Sequence, residues 1–125
     1  MTLFPLRPVL IAGMIAVSSA GVATPAIAQE APRLSLEQRM LVRCSAAFAI
    51  VARGQEAGDA TMRAYPDLRL RGREFFVQAS ARVMDEAGLG REAVAAALGA
   101  EARDIRDNGT LAQVMPACLP LLPAA

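Results

Sequence analysis

The chain has 125 residues, with 13 basic and 12 acidic side chains and a formal net charge of +1. All the basic residues are arginine and histidine is absent, which removes the usual general base near neutral pH and the commonest metal ligand. Balanced charge gives no bulk attraction to nucleic acid or an anionic membrane, and one tyrosine with no tryptophan leaves little for stacking on bases or sugars.

The length suits a single domain, and residues 1–28 read as a signal peptide ahead of it. Arg7 gives a short positive start, and Val9 to Ala20 form an uncharged apolar run. Ala26 and Ala28 then supply the small residues that a signal peptidase reads, with cleavage expected between Ala28 and Gln29, or alternatively after Ala23 or Ala20. The run falls short of the roughly 20 apolar residues that span a bilayer, and no cysteine follows it to carry a lipid. The expected product is exported, with the periplasm as its compartment and no stable membrane anchor after cleavage.

Residues 29–35 contain Pro32 and read as a flexible lead-in to a helical domain over 36–122. Ser35 with Gln38 three residues on fits a capping box, and Leu36 opens an apolar pattern. At about 100° per residue, Met40, Leu41, Cys44, Ala47, Phe48 and Val51 share one face, with Arg39, Arg43 and Arg53 opposite. This predicts one amphipathic helix ending near Gly54 or Gly58. A connection follows, with a short helical turn at 60–64.

A second helix is expected from about Pro66 to Ala87, since proline is tolerated in a first turn and Asp67 suits the positive helix end. Its apolar face collects Leu68, Gly72, Phe75, Phe76, Ala79 and Val83, and Gly88 is placed to stop it. A third helix spans roughly 91–106, with Val94, Leu98 and Ile105 in line. After the break at Asn108-Gly109, Thr110 is positioned to cap a last segment carrying Leu111, Val114, Met115, Cys118 and Leu122, which Pro116 and Pro120 kink or split. No stretch sustains the alternation of a strand. The fold class is therefore all-α, a small four-helix bundle-like domain.

Cys44 and Cys118 lie on the apolar faces of the first and last of these helices. Helices that share a core turn those faces toward each other, and an exported chain with an even cysteine count is where disulfides persist. A Cys44–Cys118 disulfide is expected, against the alternative of two buried thiols. Two lone thiolates without histidine do not make a metal site.

The remaining candidates each have a plainer reading. Arg63, Arg69, Arg71 and Arg73 form a basic cluster able to hold an anion, but arginines flanking an apolar face commonly bury their stems and keep their heads in water; Asp67 stands four residues before Arg71, a favourable spacing for pairing on a helix. Glu101 falls on the apolar line of the third helix and is expected to pair with an arginine. Phe75 and Phe76 are expected in the core rather than around a ligand. Met40, Met62, Met84 and Met115 are likewise read as core. No serine or threonine has a histidine base, and no catalytic or cofactor-binding residue is assigned.

In the segments Cys44-Ser-Ala-Ala-Phe-Ala-Ile-Val-Ala52, Arg71-Gly-Arg-Glu-Phe-Phe-Val77 and Met115-Pro-Ala-Cys-Leu119, the chain resembles uncharacterised small exported bacterial proteins. The resemblance implies a helical fold with paired cysteines and carries no known activity. In bare architecture the chain is also similar to acid-stress periplasmic chaperones. The function expected is that of a non-enzymatic envelope protein needing no cofactor, an interaction module for an unknown protein partner or for self-association. An acid-stress chaperone and a carrier of a small apolar ligand are the alternatives.

Overall fold

Ser35 starts the first element as the capping box requires. In the computed structural model, which describes residues 33–124, its hydroxyl accepts the Gln38 backbone N–H at 3.1 Å, and the Gln38 side chain accepts the Ser35 N–H at 2.9 Å. Two of the N–H groups that a helix end leaves unpaired are thereby satisfied. The helix so started, α1, runs Leu36–Glu56. It is followed by a 3-10 turn at Met62–Ala64, α2 at Arg71–Ala87, α3 at Arg91–Asp107, α4 at Leu111–Cys118 and a second 3-10 turn at Leu119–Leu121. No strand occurs among the described residues. The expected signal segment and its cleavage bond, Ala28–Gln29, lie outside the described residues.

α1 is the central helix, packed along α2, α3 and α4, whereas α2 and α3 touch one another much less. That arrangement corrects the expectation of a single apolar stripe. Cys44, Ala47, Phe48 and Val51 are buried as the periodicity predicts, but so are Val42, Ser45 and Ala46 from its other sides, because neighbours surround the middle of the helix. At its first turns, Leu36 and Met40 remain exposed.

The packing forms two apolar clusters. The larger joins Phe48, Val51, Leu68, Phe75, Ile105 and Met115 around the cysteine pair; the smaller joins Val42, Val83 and Val94. Phe48 and Phe75 meet edge to face with centroids 5.1 Å apart, a geometry adding about 0.5–1.5 kcal/mol to the burial itself. Gly72 lets α2 lie close on α1, since a Cβ there would stand 3.4 Å from the Phe48 Cβ.

α2 begins at Arg71, five residues later than expected from Pro66. The reason is a long-range hydrogen-bond set made by Gln55 in the last turn of α1. Its Nε2 donates to the carbonyls of Met62 (3.0 Å), Tyr65 (3.3 Å) and Pro66 (2.8 Å), and its Oε1 accepts the Leu68 N–H at 2.9 Å. The connection is thus held in its own path, with the buried Leu68 as an apolar anchor. Asp67 also departs from expectation. It pairs with Arg69 rather than Arg71, because residues 66–69 are not helical and the four-residue spacing does not bring the side chains together. At the other end, Gly88 closes α2 in the left-handed conformation (φ 64°), where a side chain would be strained.

The last segment does divide as its prolines imply, with Pro116 inside α4 and Pro120 in the 3-10 turn. Thr110 does not cap α4 through its side chain. Its hydroxyl is enclosed without a hydrogen-bond partner, and its backbone carbonyl accepts the N–H groups of Gln113 and Val114.

Candidate functional site

Cys44 and Cys118 form a disulfide, with Cα atoms 5.3 Å apart and a sequence separation of 74. Both residues are fully buried, so the bond is a structural tie between α1 and the end of α4, distant from any exposed exchange partner. Such a bond is the chemistry of a non-reducing compartment. No helix among the described residues is long and apolar enough to cross a membrane.

The arginine cluster is dispersed. The Arg69 guanidinium donates to both oxygens of Asp67 (2.9 and 2.5 Å), and Arg71 donates to the Pro123 carbonyl at 2.7 Å, tying α2 to the C-terminal tail. Arg63 and Arg73 are exposed and make no ion pair among the described residues. A polar cleft of about 340 Å³ lies between Gln55, Arg63, Tyr65, Asp67 and Arg69. The Arg69 hydrogen bonds hold the Asp67 carboxyl well below its ordinary range, at about 2. A carboxylate held that acidic is a poor proton acceptor near neutrality, where the useful pKa lies close to the operating pH.

Glu101 is paired. Arg43 reaches from α1 to Glu101 (2.6 Å) and Asp104 (2.9 Å) on α3, and those two hydrogen bonds, Asp104 first, raise the Arg43 pKa further. Arg43 stands on the side of α1 opposite the apolar face that periodicity picks out. It lies there against α3, because α3 packs on that side of α1. On α1 and α2, Arg82 similarly joins Glu37 (2.6 Å) and Glu86 (2.7 Å). Among the described residues, no group of three or more cysteines and carboxylates gathers to hold a metal.

An apolar groove of about 600 Å³ lies between α2 and α3. α2 contributes Phe76, Val77, Ala81 and Met84 to its lining, and α3 contributes Val94, Ala95 and Leu98. Here the expected core placement of Phe76 is corrected. Phe75 is 6 % exposed and Phe76 is 38 % exposed, since consecutive residues on a helix diverge by about 100° and only one of them faces α1. Val77 beside it is 60 % exposed. The methionines divide in the same way: Met115 is fully buried, Met62 and Met84 pack against the two core clusters with Met84 also lining the groove, and Met40 is 39 % exposed.

The groove exists because α2 and α3 each pack mainly on α1, which leaves their outer shoulders uncovered. Ser80 also lines it, and its hydroxyl oxygen is enclosed without a hydrogen-bond partner. Asp85 and Arg91 stand at the end near the α2–α3 turn. The arrangement holds no nucleophile paired with a base; it offers shape, apolar surface and charges at its rim. The sequence signal that could have found it is the run Phe75-Phe76-Val77, three consecutive bulky apolar residues where one helix face can bury only one or two. The chain matches no family model, no curated protein and no solved structure.

Proposed function

We propose that this is an exported, non-enzymatic interaction module of the cell envelope, working through the groove between α2 and α3. The observation that carries the reading is the exposure of Phe76 and Val77 along an apolar groove, since bulky apolar residues clustered at a surface mark interaction sites rather than ordinary exposure. Export is supported by the N-terminal pattern of Arg7, an uncharged apolar run and Ala26–Ala28, together with the disulfide. A carrier is less well supported. A small apolar ligand is usually enclosed over most of its surface, and a groove with Val77 60 % exposed at its side is open to solvent.

The test is site-specific photo-cross-linking in the envelope of the producing cell, with the photoreactive residue at position 77 and a control at Asp107, which is exposed on another part of the domain. Discrete adducts from position 77 and none from position 107 support the module. Equal or absent labelling at the two positions overturns it.

A second reading, an acid-responsive chaperone, is favoured by one specific observation: the ion pairs between helices, Arg43 with Glu101 and Asp104 and Arg82 with Glu37, all depend on ionised carboxylates. Their protonation leaves the arginines positive and loosens α2 and α3 from α1. That reading requires suppression of client aggregation at about pH 2–3 and none at pH 7; equal activity at both, or none, removes it.

A further inference from the structure

We infer that the occupant of the α2–α3 groove is a second copy of this chain, docked with the two α2 helices antiparallel. The inference deepens the interaction-module reading and rests on it.

Along the outer side of α2, Arg73, Val77, Ala81 and Asp85 recur every four residues and are all exposed. Residues at this spacing form one of the ridges by which helices interlock. The ridge has a positive charge at one end, a negative charge at the other, and a large and a small apolar residue between them. Turned end for end, it is its own complement: Arg73 meets Asp85 of the second copy, and Val77 meets Ala81. Because a two-fold interface repeats each contact, the two copies would make two such charge pairs and two such apolar contacts. The charges stand roughly 18 Å apart at about 1.5 Å per residue, which places both at the edges of the apolar patch, where they stay hydrated.

The charges are also available. Arg82 on the same helix is committed to Glu86 and Glu37, whereas Arg73 and Asp85 make no hydrogen bond or ion pair among the described residues. A different partner with one dominant charge would be matched by a rim of one sign. The α2 ridge carries both, in the order that an antiparallel copy reproduces, with Arg91 standing at the Asp85 end of the groove. The groove beside the ridge, lined by Phe76, Met84 and Leu98, receives Val77 of the other molecule.

The test is the oligomeric state of the purified protein, its N-terminus and disulfide defined by intact mass, measured by sedimentation velocity at about 100 µM, above a Kd in the micromolar range. Wild type is expected to dimerise. Arg73→Asp or Asp85→Arg alone sets like charges opposite each other at both symmetry-related positions and weakens dimerisation by about tenfold. The double variant, R73D with D85R, restores it to within about threefold of wild type. All four positions of the ridge are exposed, and unchanged helical circular dichroism and melting temperature identify each variant as folded.

A monomeric wild type overturns the inference. So does a dimer that the single charge reversals leave intact, or one that the double reversal fails to restore. Cross-linking from position 77 keeps the two proposals distinct. An adduct of twice the chain mass supports the second copy. An adduct of another mass, with a monomeric protein in solution, retains the interaction module and removes self-association.

Discussion

Reducing the Cys44–Cys118 bond should cost this domain a large part of its stability. The bond closes a loop with a sequence separation of 74, and the chain-entropy argument assigns about 4 kcal/mol to a loop of that length at 25 °C. A domain of this size typically has a total of roughly 5–14 kcal/mol, taking about 0.05–0.15 kcal/mol per residue. The loss therefore removes between a third and most of the margin. At about 4–8 °C per kcal/mol, the melting temperature should fall by about 20 °C. The sensible comparison is the oxidised protein against the same protein reduced, because both sulfurs are then retained and no cavity is created in the core. Urea unfolding followed by circular dichroism gives the free-energy difference, with reduction verified by the mass gain of two hydrogens. A change below about 1 kcal/mol, with both thiols demonstrably free, would show that packing alone holds α4 on α1 and that the entropic reasoning is wrong for this fold.

Three further outcomes follow from local geometry. Arg43→Met should destabilise by roughly 1 kcal/mol, since it deletes a partly exposed bridge to Glu101 and Asp104; in 1 M salt the difference should shrink, and a larger loss in high salt would contradict the assignment. The Asp67 carboxyl, followed by NMR, should titrate at about 2 and move up toward its ordinary value of 3.8 in Arg69→Ala. Because the folded value is the lower one, any stability this pair contributes is present above about pH 4 and is lost as pH falls through about 2. Gly54→Ala pits helix propensity against space. Alanine gains about 1 kcal/mol in a helix interior, but the added Cβ would come within 2.9 Å of the Met62 Cβ and closer still to its Cγ. Overpacking of this kind costs about 1–3 kcal/mol, so thermal denaturation should show a net loss, and a gain would mean that Met62 is free to move aside.

The parts legible in the amino-acid sequence are those governed by neighbours. Ser35 and Gln38 are three residues apart and find each other in any helix that starts there. Gly88 ends α2 where the apolar periodicity stops. The pairing of Cys44 with Cys118 could be inferred because both lie on faces that must be buried. What could not be read depends on residues far away in the chain. The start of α2 is decided by Gln55, whose side-chain hydrogen bonds to the Pro66 carbonyl and the Leu68 N–H take the place of a helical turn there. The orientation of Arg43 is decided by carboxylates about sixty residues on. Phe76 carries the same apolar signal as Phe75, and the way α2 lies on α1, with α3 standing off, determines that one ring fills the core while the other borders a groove. The candidate site is therefore the portion least accessible to periodicity. It is made by two helices that do not quite meet.

The covalent tie between Cys44 and Cys118 turns the chain between them into a ring containing all of α2 and α3. A protease that cuts the turn at Gly88–Gly90 leaves two pieces that still travel as one molecule. The break becomes visible as separate fragments only after reduction, and until then both walls of the groove stay attached to the same body.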